Sequence, residues 1–148
     1  MKLVQSALAR WPDYARLEQA VEGGAVPGAV TGLSGVHKCC VIASLCKKTG
    51  RRALVLAADE AEAQRFCEDL AALGLRPVSS PLRDFNFRDT AGTSHEYERL
   101  RLEALSKLED GQCDCIVACM DAALQYTLGP EELERKLFTL RPGDQLEI

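Results

Sequence analysis

Residues 32–39 read Gly32-Leu33-Ser34-Gly35-Val36-His37-Lys38-Cys39. A phosphate loop of the Walker A type runs Gly, four residues, Gly, Lys, then Ser or Thr. Gly32 and Lys38 stand in register with that pattern. His37 occupies the place of the second required glycine, and Cys39 the place of the hydroxyl residue. The outline of the loop is kept while two of its working parts are replaced.

Each replacement has a physical consequence. A phosphate loop aims successive backbone N–H groups at phosphate oxygens, beside a helix N-terminus with partial positive charge. Glycine permits left-handed backbone and close approach of the ligand. A histidine at position 37 adds a Cβ and a ring there, so the loop refolds or loses room for phosphate. The residue after the lysine normally offers a hydroxyl to Mg²⁺, a hard ion that takes oxygen ligands. Cys39 offers a soft sulfur instead. Lys38 by itself still attracts an anion. The competing reading is a chance match in an ordinary loop. Context argues against it: the apolar Ala29-Val30-Thr31 precedes the loop as a first strand, led in by Pro27-Gly28. Cys39, Ile42, Ala43 and Cys46 then follow at helical spacing. Gly32, Gly35, His37, Lys38 and Cys39 are therefore read as a vestigial nucleotide or anion site. No catalytic residue and no metal site is assigned.

The rest of the chain fits an α/β protein. Tyr14, Leu17 and Val21 mark one side of a short helix from Asp13 to about Glu22, closed by Gly23-Gly24. Thr49-Gly50 stops the helix after the loop. Ala53-Leu54-Val55-Leu56-Ala57-Ala58 is a continuous apolar run, the pattern of a central parallel strand covered on both faces. Asp59 with Glu62 predicts a capping box, followed by a helix burying Ala63, Phe66, Leu70 and Leu73 and closed by Gly74. Pro77-Val78-Ser79 is a third strand, followed by a loop through Asp84-Phe85-Asn86-Phe87. Thr93-Ser94-His95-Glu96 opens a long helix with Tyr97, Leu100, Ala104, Leu105 and Leu108 inward, ended by Asp110-Gly111. A strand around Cys115-Ile116-Val117-Ala118 comes next, then helices from Asp121 and Pro130. Leu146 and Ile148 alternate with polar residues as a strand would. Strands alternating with helices predict a three-layer α/β fold with a mainly parallel sheet. The expected organisation is an N-terminal helix and linker over 1–27, a domain over 28–138, and the start of a connection to a following domain over 139–148.

Composition excludes several classes. At 148 residues the chain suits one domain. Hydrophobic content of 47% and charged content of 27% fit a soluble globular protein. The net charge of −4 advertises no strong nucleic-acid surface. No apolar run reaches membrane-span length, and the N-terminus lacks a signal-peptide core, so the cytoplasm is the expected location. The seven cysteines include Cys113, Cys115 and Cys119, but no second ligand pair completes a zinc site. Small buried thiols in a reducing compartment are the simpler reading. Cys39-Cys40 lies where a helix N-terminus can lower a thiol pKa, with plain packing as the alternative.

From about Gly28 onward the chain resembles the UvrB-like N-terminal region of the bacterial transcription-repair coupling factors, the Mfd family. UvrB carries a loop of the form Gly-Val-Thr-Gly-Thr-Gly-Lys-Thr, onto which Gly32 to Cys39 falls residue by residue. The Val117-Ala118 strand, Leu128-Gly129-Pro130-Glu131-Glu132-Leu133 and Leu140-Arg141-Pro142-Gly143 look like the stretch leading into UvrB's second domain. The helix with Glu96, Arg99 and Leu100 is similar to the one before it. Two departures from UvrB favour the coupling factor: the altered phosphate loop, and the short Arg88-Asp89-Thr90-Ala91-Gly92 link between Phe87 and Thr93 in place of UvrB's DNA-probing aromatic hairpin.

The resemblance implies a P-loop NTPase-type fold like RecA and UvrB domain 1a, with a degenerate Walker A. It implies a parent that is an ATP- and Mg-dependent DNA translocase or helicase, which displaces stalled RNA polymerase and recruits UvrA for nucleotide excision repair. This chain is then a non-catalytic module that needs no cofactor of its own, its partners being UvrA, RNA polymerase, DNA and the parent's other domains. The alternative is a nucleotide-binding domain of a UvrB-type helicase whose loop still works. Asp121, at the end of the run from Asp114, would imitate a Walker B carboxylate, or else cap the next helix. A DNA-binding reading rests on Arg83, Arg88, Arg99 and Arg101, but solvated helix faces explain them as well, and Asp59-Glu60-Ala61-Glu62 repels phosphate.

Overall fold

The computed structural model describes residues 2–25, 27–82 and 96–136, together with 138 and 143. The helices are α1 (Lys2–Leu8), α2 (Pro12–Glu22), α3 (Gly35–Thr49), α4 (Glu60–Ala72), α5 (Glu96–Glu109), α6 (Met120–Ala123) and α7 (Pro130–Lys136). The strands are β1 (Ala53–Ala57), β2 (Pro77–Ser79) and β3 (Cys115–Cys119). They form a parallel sheet in the order β1-β3-β2, with Ala53 opposite Cys115 and Pro77 also opposite Cys115. The protein is thus mixed α/β with a small parallel sheet. The expected loop at Asp84–Phe87, the capping residues Thr93–His95, the Arg88–Gly92 link, and the strand at Leu146 and Ile148 lie outside the described residues. So does most of the 139–148 connection.

Local chemistry accounts for most of the elements. α3 ends where Gly50 turns left-handed at φ +66°, its amide donating to Cys46 O. α4 starts at Asp59, whose Oδ1 accepts from Glu62 N at 2.7 Å. Glu62 Oε2 reaches back one residue beyond the expected position, to Ala58 N at 2.9 Å. Ala63, Phe66 and Leu70 of α4 are buried against Cys39 and Ala43 of α3, and against Val55, Ala57, Cys115 and Val117 of the sheet. Ile42 and Cys46 pack around that core, as the spacing after the loop predicted. Burying a side chain the size of Leu70 or Phe66 stabilises the fold by about 1.5–3 kcal/mol.

Four expectations need correction. Ala29-Val30-Thr31 forms no strand: the segment is exposed and carries no ladder bonds among the described residues. Among the described residues β1 is parallel but an outermost one of the three strands, with Val55 and Ala57 buried while Leu54 is 64% and Leu56 44% exposed. A three-layer cover therefore holds only in part. Tyr97, expected inward, is 43% exposed in the first turn of α5. Asp121 does not cap α6, since Cys119 holds the N-cap position and Asp121 lies within the first turn.

Candidate functional site

Gly32 takes φ +80°, a left-handed value that favours glycine, and a Cβ there would meet open space. The chain then turns at Ser34, extended at φ −74° and ψ 170°, into α3. The helix begins at Gly35, three residues before the lysine. Lys38 N accordingly donates to Ser34 O at 2.9 Å, as an ordinary helical amide. A phosphate cradle needs such amides aimed at the ligand, and here winding has drawn this one into the helix.

His37 closes the first turn. Its Nδ1 lies 2.8 Å from Ser34 Oγ, so the ring that replaces glycine ties back to the residue before the helix. Lys38 is exposed, and its Nζ sits 6.0 Å from the centroid of the Phe66 ring on α4. At that separation the ammonium is attracted to the ring face. Cys39 is fully buried, with Sγ 3.9 Å from Asp69 Oδ2. Burial, and after it the Asp69 charge, push its thiol up to about 11. Burial thus moves the Cys39 thiol in the direction opposite to the lowering that a helix N-terminus would give.

Cys113, Cys115 and Cys119 are buried thiols, as expected for packing residues. Burial first, then neighbouring thiols and Asp114, push Cys115 up to about 12.

α3 leads through Gly50–Arg52 straight into β1, so the two run in opposite senses. The loop therefore lies toward the end of the sheet where β1 passes into Asp59 and β3 into Met120. In open α/β sheets that is the end where ligands bind. The acidic residues nearby already hold backbone. Asp59 and Glu62 cap α4, and Glu60 Oε1 accepts from Leu82 N at 2.6 Å. A cavity of about 430 Å³ lies instead between α2 and residues 28–31, lined by Trp11, Tyr14, Leu17, Val30 and Val41 among others. None of Gly32 to Cys39 lines it.

The candidate basic patch is only partly described, since Arg83 and Arg88 lie outside the described residues. Arg99 pairs with Glu96 at 2.7 Å and with Glu103 at 3.0 Å along α5. Arg101 donates to Pro81 O, Ala122 O and Thr127 Oγ1, joining three segments. Sequence reasoning missed that role, and it missed the clamp between Arg76 and Asp114. Both tie residues far apart in the chain, so no local spacing announces them.

Comparisons with protein-family models, with curated proteins and with solved structures found no match.

Proposed function

We propose that the chain is a non-catalytic, UvrB-like module of a bacterial transcription-repair coupling factor. On this reading its sheet is of the P-loop NTPase type with a retired phosphate loop, and it works in the cytoplasm. The parent is an ATP-dependent DNA translocase that displaces stalled RNA polymerase and recruits UvrA. One observation carries the reading: Gly32 to Cys39 runs from a left-handed glycine into the first turns of α3, yet His37 is held by Ser34 and Cys39 is buried beside Asp69. Such a segment supports a turn more readily than a Mg–ATP site.

Two measurements test the two halves of the proposal. Titration calorimetry with Mg–ATP is expected to show no binding tighter than about 100 μM. Tighter binding that disappears in Lys38→Ala would establish a working loop and the helicase alternative. Purified UvrA is expected to bind the immobilised chain, and to be displaced by free chain. Failure of UvrA to bind at about 50 μM would remove the coupling-factor assignment.

A further inference from the structure

A cavity of about 320 Å³ lies at the end of the sheet where the three strands begin. Its walls include Lys47 in the last turn of α3, Arg51 and Arg52 in the link to β1, Leu75 before β2, and Asp114 before β3. They are drawn from the approach to every described strand, so the cavity does not depend on what stands beside β1.

Three cations line this space against one carboxylate. The carboxylate, Asp114, is already held by Arg76, through Nη2 at 2.7 Å and the main-chain N at 2.8 Å. That pair is neutral as a unit, which leaves the charge of Lys47, Arg51 and Arg52 in excess. Among the described residues none of the three forms an ion pair. Each donates instead to a main-chain carbonyl at the C-terminal end of a helix. Lys47 Nζ reaches Leu73 O after α4 at 3.2 Å, Arg51 Nη1 reaches Val21 O in α2 at 3.0 Å, and Arg52 Nη1 reaches Leu108 O in α5. A cation at a helix C-terminus is favourable in itself. Around one cavity, such bonds also hold three charged heads in place, and each head keeps further donors for a ligand.

We propose that this cavity binds a small phosphoryl anion without a metal ion, such as pyrophosphate. The planar fork of arginine matches phosphate oxygens two at a time. A phosphoryl group also offers three oxygens to donors that arrive from different elements. A nucleic-acid strand fits less well, because the cations gather in one pocket and the chain carries a net charge of −4. Mg²⁺ takes oxygen ligands, and the carboxylate lining the cavity is engaged by Arg76. Lys38 lies at the opposite end of α3, about 14 Å away along the helix axis.

Titration calorimetry of the whole chain with sodium pyrophosphate, in about 50 mM salt and without Mg²⁺, tests the site. A Kd below about 500 μM is expected. Arg51→Gln and Arg52→Gln keep a donor at each position and remove the charge. Each should weaken binding at least about five-fold, and the pair should abolish it. Circular dichroism checks that they stay folded, and Lys47→Gln, on the surface of α3, gives the same reading should either link variant unfold. Lys38→Ala should leave binding unchanged. Amide shifts on titration should centre on Lys47 to Arg52, Leu75 and Asp114. Absence of binding overturns the proposal. So does binding indifferent to the glutamine variants, binding lost in Lys38→Ala, amide shifts centred on Gly35 to Lys38, or citrate binding as tightly as pyrophosphate.

Discussion

Ser34 Oγ and His37 Nδ1 lie 2.8 Å apart across the first turn of α3, at the point where a working phosphate loop keeps glycine. The contact is exposed, so its net worth is modest. His37→Ala is expected to cost about 0.5–1 kcal/mol in urea unfolding. Faster amide exchange should be confined to Gly35–Lys38. Unchanged exchange there would show that the ring does not hold the turn.

The two glycines of the loop should respond oppositely. Gly32 holds φ +80°, so Gly32→Ala is expected to cost about 1–2 kcal/mol through left-handed strain. Gly35 has no positive φ, and a Cβ there meets nothing within 4 Å. Gly35→Ala should be neutral or stabilising by up to about 1 kcal/mol, by narrowing the unfolded ensemble. Thermal unfolding of the two variants decides, and equal destabilisation would contradict the observed backbone.

Tyr14 ties α2 to α3 through a buried bond, its hydroxyl donating to Ser44 Oγ at 2.8 Å. Tyr14→Phe leaves Ser44 without its partner at a site only 4% exposed. A loss of about 1–3 kcal/mol is expected. Adding Ser44→Ala removes the orphaned hydroxyl and should recover part of that loss. A double-mutant cycle in urea measures the coupling.

Arg76 and Asp114 clamp the entries to β2 and β3. Asp114 accepts from Arg76 Nη2 at 2.7 Å and from Arg76 N at 2.8 Å. The hydrogen bonds from Arg76 hold its carboxyl below the ordinary value of 3.8. The folded form therefore binds the proton less readily than the unfolded chain. The resulting stability is full above the ordinary value and is lost as pH falls through the lower folded value. Asp114→Asn should be less stable near about pH 7, by no more than about 1 kcal/mol for so exposed a pair. Urea melts across an acid series should show the gap closing below the ordinary carboxylate range. A gap that persists there would mean the carboxylate charge is not its source.

Cys39 and Cys115 should resist alkylation in the folded protein. A thiol with a pKa of about 11, as at Cys39, is about one part in a thousand thiolate at about pH 8, and burial blocks the reagent as well. Peptide mass spectrometry after iodoacetamide is expected to find both unmodified in native buffer and modified in urea. Rapid native labelling of Cys39 would restore the idea of a reactive thiol at this helix start.

The sequence by itself determined whatever depends on neighbours a few residues away. The helix after the loop, the Asp59 cap, the glycine stops at Gly50 and Gly74, and the strands at 53–57, 77–79 and 115–119 follow from periodicity and from backbone freedom. These preferences act within one or two turns, so the chain displays them openly. It also displayed where Gly32 to Cys39 matches the Walker A pattern and where it departs from it.

Only the tertiary structure decided the strand order, the outer place of β1 among the described strands, and how residues 32–39 wind. An apolar run is attracted to any apolar face and does not say how many such faces exist, so Leu54 and Leu56 looked central while standing exposed. Ala29 to Thr31 had β character but joins no strand among the described residues. Lys38 and Cys39 took their places from α4, through Phe66 and Asp69, about thirty residues further along the chain. Contacts at that separation are chosen by packing, because the free energy of a buried side chain depends on what surrounds it in space.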